Sequence, residues 1–199
     1  MHQSKARPGV GQARRREQIL SAAIPLFAAN GFSNTGIADI ARAAGVSFGS
    51  VHYYFGSKKA LFCASVLEPA AELEAELAVP DVGQANPRTA LEAMVQEHVA
   101  LVVRRRMHLQ LLQYVLSQSD RFPDLAEQIA IGPRFSERLE PLLQQGHVHG
   151  EVEPGSFLVT GTAYLAYLFG LSQVVLIDAD SLLWEEYAQR GLRILGVRP

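Results

Sequence analysis

Thr35-Gly36-Ile37-Ala38-Asp39-Ile40-Ala41-Arg42-Ala43-Ala44-Gly45-Val46-Ser47-Phe48-Gly49-Ser50-Val51-His52-Tyr53-Tyr54-Phe55-Gly56-Ser57-Lys58-Lys59-Ala60-Leu61 is the stretch on which the reading of this chain turns. Ile37, Ile40, Ala41 and Ala44 recur at three- and four-residue spacing and share one face of a short helix. Thr35 is placed to cap that helix, and Gly45 can take the positive φ that a tight turn needs. Ser47 caps a second short helix, with Val51 and Phe55 turned inward and Phe48, Ser50, His52, Tyr53 and Tyr54 left to face elsewhere. Ala41 and Ala44 are small where the two helices approach, and Val46 fills the space between them. Two short helices joined in this way form the shape that places a helix in the major groove of DNA. Ser57 then caps a long helix whose first residues are Lys58 and Lys59, suited to phosphate oxygens.

Charge supports the same reading. Over residues 1–60, eight Lys and Arg stand against Glu17 and Asp39, a net of +6, whereas the whole 199-residue chain carries -2. A basic head on an acidic body directs the head toward a polyanion. Charge alone leaves a second reading open: a helical ligand-binding or scaffold protein whose basic head contacts another protein or a membrane surface. The single cysteine, Cys63, excludes an internal disulfide and fits a cytoplasmic location. The first residues lack the apolar run of a signal peptide, and Phe157 to Ile177, uncharged but holding several polar residues, reads as a buried helix and not a membrane span.

Strand signals are nearly absent, so the chain is expected to be all-α. Residues 1–11 read as a flexible arm and 12–57 as a three-helix head, with the first helix running to a stop at Asn30-Gly31 and bent at Pro25. Residues 58–80 form a connecting helix, and 81–199 an antiparallel helical body with helices near 87–104, 107–118, 123–145, 155–178 and 180–196. Pro133 and Pro141 threaten to split the third of these.

Over Gln12 to Phe62 the chain closely resembles the TetR-type transcriptional regulators. The resemblance rests on Leu26-Phe27-Ala28-Ala29-Asn30-Gly31-Phe32, on Thr35 to Ser47, and on Gly49 to Leu61 with its Tyr53-Tyr54-Phe55-Gly56-Ser57-Lys58-Lys59-Ala60-Leu61 continuation. It implies that Phe48, Gly49 and Ser50 lie at the groove floor, and that Thr35, Ser47, Tyr53, Tyr54 and Lys58 hold phosphates. His52 and Phe48 depart from the family's usual residues, so the operator sequence does not carry over; Phe48 suits thymine methyls. Arg14, Arg15 and Arg16 add a weaker candidate contact to flanking phosphate or the minor groove. The resemblance further implies a homodimer on double-stranded operator DNA, acting as a repressor released by a small hydrophobic effector. No cofactor is implied.

In the body, His98, His108, Gln113, Tyr114, Tyr164 and Tyr167 are polar-capable residues on apolar helices, the pattern of an effector pocket or of satisfied core groups. Gly161, Leu165 and Leu168, with Leu183, Tyr187 and Leu192, are candidates for the dimer interface; ordinary core packing explains them equally well. His147, His149, Glu151 and Glu153 alternate as metal ligands on a strand do, but Gly146, Gly150 and Pro154 make the stretch an exposed connection. No Gly-x-Ser-x-Gly elbow, phosphate-binding glycine loop or His-Glu-x-x-His pair points to an enzyme.

Overall fold

The computed structural model describes residues 10–83, 86–174 and 183–199. Among these the chain is all-helical: α1 (Val10–Asn34), α2 (Ile37–Ala43), α3 (Phe48–Phe55), α4 (Lys58–Glu76), α5 (Pro87–Arg104), α6 (Arg106–Ser117), α7 (Pro123–Gln128), α8 (Gly132–Val148), α9 (Phe157–Leu171) and α10 (Trp184–Ile194). The one extended pairing among the described residues is an isolated bridge between Val152 and Val197.

Helix boundaries follow local chemistry. Asn86 accepts a hydrogen bond from Thr89 N at 3.2 Å and Pro87 occupies the first turn, so α5 begins where an N–H is not needed. The expected stop at Asn30-Gly31 is a break, not an end: Gly31 takes φ 71° and ψ 173°, after which α1 resumes to Asn34. The helix expected over 123–145 is two, α7 and α8, and α8 runs on through His147. The last residues of the helix expected over 155–178 and the first of that over 180–196 lie outside the described residues.

Packing joins two regions. Around α1–α3, Ile19, Ala23, Phe27, Ile40, Val51 and Leu61 are buried together. In the body, Leu91, Val95, Leu111, Leu112, Phe135 and Tyr164 form the interior. Between them lies an aromatic cluster, with Phe27, Phe32 and Phe122 each about one ring from Phe62 (centroids 5.0, 5.0 and 5.1 Å) and Tyr114 at 6.4 Å. α8 and α9 cross closely at Gly161, where a Cβ would stand 2.6 Å from Ser136 Oγ and 3.1 Å from its Cα, so a side chain there would force Ser136 or α8 to shift. No helix among the described residues is long and apolar enough to cross a membrane.

Several of the residues expected at a dimer seam are packed within the protomer at this crossing. Gly161, Leu165 and Leu168 are buried against the rest of the same protomer, and Leu192 on α10 is buried as well. They therefore have no surface to offer a second copy, while Leu183 is exposed and Tyr187 half-buried. The outward side of α9 carries Leu158 and Val159, 61% and 65% exposed, with Thr162, Ala163 and Ala166 along the same face.

Candidate nucleic-acid interface

The turn between α2 and α3 is built from backbone geometry that the sequence prescribes. Ala44 closes α2, Gly45 takes φ 62°, and the chain is fixed by Gly45 N to Arg42 O (3.1 Å) and Val46 N to Ala41 O (2.9 Å). Gln18 on α1 donates to Ala44 O at 2.7 Å, so the last carbonyl of the turn is tied to the first helix. Ser47 caps α3 by accepting from Ser50 N at 3.1 Å, and the two hydroxyls lie 2.8 Å apart.

With Val51 and Phe55 buried, the opposite face of α3 is open. Phe48 is 54% exposed and Tyr53 73%, aromatic rings in water that the fold does not need. The Phe48 and His52 rings, one turn apart, lie 4.7 Å apart between centroids and are tilted by 52° to each other. His52 Nδ1 lies 3.1 Å from Gly56 O, and since a carbonyl only accepts, Nδ1 carries the proton and Nε2 points outward as an acceptor in the neutral ring. Gly49 is exposed, and a Cβ on it would meet nothing nearer than Ser47 Oγ at 3.9 Å. The fold therefore makes no steric demand for glycine there.

Three of the expected contact residues sit differently from the reading of the sequence. Thr35 does not cap α2, whose N-cap is Gly36, its carbonyl accepting from Ile40 N at 3.2 Å; Thr35 is 2% exposed and its hydroxyl donates back to Gly31 O (2.8 Å) and lies 3.1 Å from Leu26 O. Lys58 is half-buried, its ammonium 3.1 Å from Ser33 O and 4.8 Å above the Phe32 ring, which leaves the remaining N–H groups for another acceptor. Arg16 is turned away from any flank, its guanidinium bidentate on Glu68 of α4 and stacked 4.8 Å over Phe55. That pairing holds the guanidinium's pKa above its ordinary value. Arg14 and Arg15 stay exposed, and Tyr54 is half-buried against the T-shaped ring of Tyr53.

Arg121, in the loop before α7, was missed by the sequence reading. It donates to Ser33 Oγ at 2.8 Å and lies 5.7 Å over Phe32, beside Lys58. Its separation of 88 residues from Ser33 leaves no local signal.

The expected effector residues do not surround one cavity. His98 borders a void of about 10 Å³ with Leu77, Leu101 and Leu168. Burial draws its pKa down to about 4; Nε2 is held by Ala78 O at 3.1 Å and Nδ1 lies 3.3 Å from the Tyr164 hydroxyl. His108 is bonded to Val66 O, and Tyr167 to Tyr187 O, with burial pushing the Tyr167 hydroxyl up to about 12. Gln113 and Tyr114 instead border a shallow cleft of about 320 Å³, where Gln173 bonds Gln113. His147 Nδ1 lies 3.2 Å from Val152 O, and no group of three or more potential metal ligands forms among the described residues.

Residues 19–64 match the family model for bacterial regulatory proteins of the tetR family. The HTH-type transcriptional regulator BetI of Agrobacterium fabrum is 33% identical over 89 residues, which span 44% of this chain and 43% of that protein. The HTH-type regulator HbdR of Aromatoleum sp. (strain CIB) is 29% identical over 184 residues, 91% of this chain and 79% of that one. Among solved structures, AibR in complex with isovaleryl coenzyme A and operator DNA shares the fold at a TM-score of 0.70, with 20% identity over 92% of this chain and all of that one (100%).

Proposed function

From the premise that this chain belongs to the TetR family of bacterial regulatory proteins, we propose that it is a homodimeric repressor that leaves its operator when a small effector binds. The chain is a transcriptional regulator that binds DNA. Its reading head is residues 12–57, its sensing and dimerising body 81–199, and α4 is the lever between them.

The observation that carries the reading is the open face of α3. A turn fixed by three hydrogen bonds holds Phe48, His52 and Tyr53 clear of the core, on a head with a net charge of +6 over residues 1–60. Gly49 lets that face approach the groove floor, where Phe48, Ser50 and His52 meet base edges. Ser47, Tyr53, Tyr54 and Lys58 hold phosphates. Arg121 extends that grip from the body side.

A near-palindromic operator fits two heads related by a two-fold axis. The dimer surface is the outward face of α9, Leu158, Val159, Thr162, Ala163 and Ala166, together with Leu183 and Tyr187 from the α10 side. Solvent exposure of that much apolar surface on one helix supports it. AibR, whose structure holds isovaleryl coenzyme A together with operator DNA, supports a ligand-responsive body. An effector changes DNA affinity only by binding the two head positions unequally.

The test is a mobility shift on the DNA upstream of the gene, against an unrelated duplex, with salt varied. Selective binding is expected. Lys58→Ala is expected to weaken binding to every duplex and to lower the salt slope by about 1, whereas Phe48→Ala changes the preferred sequence. Equal, weak binding to both duplexes at all salts refutes the repressor reading.

A further inference from the structure

Residues 118–122, between α6 and α7, turn back on themselves and dock on the end of α1. Arg121 N and Phe122 N both donate to Gln118 O, at 2.9 and 3.0 Å. The Phe122 ring packs against Phe32 and Phe62, with centroids 5.9 and 5.1 Å away. On the last turn of α6, the Tyr114 hydroxyl accepts from Phe32 N at 3.1 Å, at the break that Gly31 makes in α1.

This docking sets Arg121 beside a second cation. Lys58, the first residue of α4, holds its ammonium 3.1 Å from Ser33 O, and Arg121 donates to Ser33 Oγ at 2.8 Å. Both also lie over the Phe32 ring, 4.8 and 5.7 Å from its centroid. Arg16, Arg42, Arg88, Arg104, Arg105 and Arg134 each meet a carboxylate. Lys58 and Arg121 pair with none among the described residues, although Asp120 and Asp124 are near Arg121 in sequence. Two like charges held at one serine repel each other in the free protein, and a shared polyanion removes that cost. Each cation keeps most of its donors, the ammonium spending one N–H of about three on Ser33 and the guanidinium one of about five.

We infer that the operator's sugar-phosphate backbone is gripped across this seam, by Lys58 from the head and Arg121 from the body, so that DNA affinity depends directly on residues 118–122 being docked. This rests on the reading of the chain as an operator-binding regulator and adds a second route of control to it. The lever α4 acts by moving the heads. Withdrawal of the 118–122 turn weakens the grip with the heads in place, because Arg121 leaves the phosphate while α3 keeps its open face. By linkage, DNA stabilises the docked turn to the same degree that the docked turn strengthens DNA binding. Tyr114 is then a positioning residue: its hydroxyl holds the seam, and it acts on DNA through Arg121.

The test uses the full chain and any duplex, because a phosphate contact carries no sequence information. One such contact contributes about 0.9 to the slope of log affinity against log salt. Arg121→Gln is therefore expected to weaken binding about fivefold at about 0.15 M salt and about fifteenfold at about 0.05 M, on the upstream DNA and an unrelated duplex alike. Arg121→Lys keeps the charge and is expected to recover the slope. Tyr114→Phe is expected to weaken DNA binding about twofold or more in the parent and to have no effect in the Arg121→Gln background. Arg121 is exposed, so helix content is expected to be unchanged. An unchanged slope in Arg121→Gln, no recovery in Arg121→Lys, or Tyr114→Phe weakening DNA equally in both backgrounds overturns the inference. A parent that prefers neither duplex overturns the repressor reading instead, and the slopes still decide this one.

Discussion

Acidification from pH 8 to pH 5 is expected to destabilise the fold through His98. The ring is 1% exposed on α5, with Nε2 donating to Ala78 O and Nδ1 3.3 Å from the Tyr164 hydroxyl. Its folded pKa of about 4 lies below the ordinary 6.5 because burial disfavours the cation. Between these values the unfolded chain binds a proton that the folded one refuses, so stability is full above pH 6.5 and falls as pH drops toward 4. At pH 5 the loss from this residue is about 2 kcal/mol, which for a chain of this length lowers the melting temperature by about 4–8 °C. His108, also lowered by burial, acts in the same direction. The assay is thermal unfolding by circular dichroism at both pH values and one protomer concentration, for the parent and His98→Gln. Glutamine can still donate to Ala78 O but does not titrate. The variant is expected to be less stable at pH 8 and to lose about 2 kcal/mol less than the parent on going to pH 5. An identical loss in both proteins refutes the assignment of that pH dependence to His98.

Other consequences follow from contacts already described. Gly161→Ala puts a methyl 2.6 Å from Ser136 Oγ and 3.1 Å from its Cα, and urea titration is expected to show a loss of about 1–3 kcal/mol despite the better helix propensity of alanine. Val159→Glu, on the exposed side of α9, is expected to turn the dimer into a folded monomer in sedimentation; an unchanged dimer removes α9 from the interface. Tyr114→Phe takes the acceptor from Phe32 N–H, 3.1 Å away, at a cost of about 1 kcal/mol in thermal unfolding, with no loss expected if water reaches that N–H.

The head was legible because its rules are local. Ser47 to Ser50 is three residues, the turn at Gly45 is closed by bonds four and five residues apart or fewer, and inward Val51 and Phe55 follow from helical spacing. Thr35 was misread because a threonine before a helix has two uses, and here its hydroxyl turns four residues back to Gly31 O instead of forward. The α9 candidates show a different limit: a glycine at helical spacing with Leu165 and Leu168 signals close helix packing but not which helix is met, and within the protomer Gly161 lies against Ser136 of α8.

The polar residues of the body share a physical role that periodicity does not reveal. Gly31 interrupts α1, so Phe32 N–H loses its partner one turn back, and Tyr114 OH, 82 residues away, supplies an acceptor. α4 ends at Glu76 with Leu77 as its cap, and the Ala78 carbonyl beyond that end is met by His98. Ser172 closes α9, and its carbonyl takes donors from Gln110 and Arg106. Gln18 does the same for Ala44 at the end of α2. A polar side chain on an apolar helix here marks the place where that helix passes a broken or finished neighbour whose backbone still needs a partner. His108 fits half of this rule: Nε2 serves a carbonyl of α4, and Nδ1 serves nothing among the described residues. Ser136 Oγ and Gln145 Oε1 are likewise buried without a partner among the described residues, so the rule accounts for the polar groups that meet interrupted backbone and not for every polar group in the core.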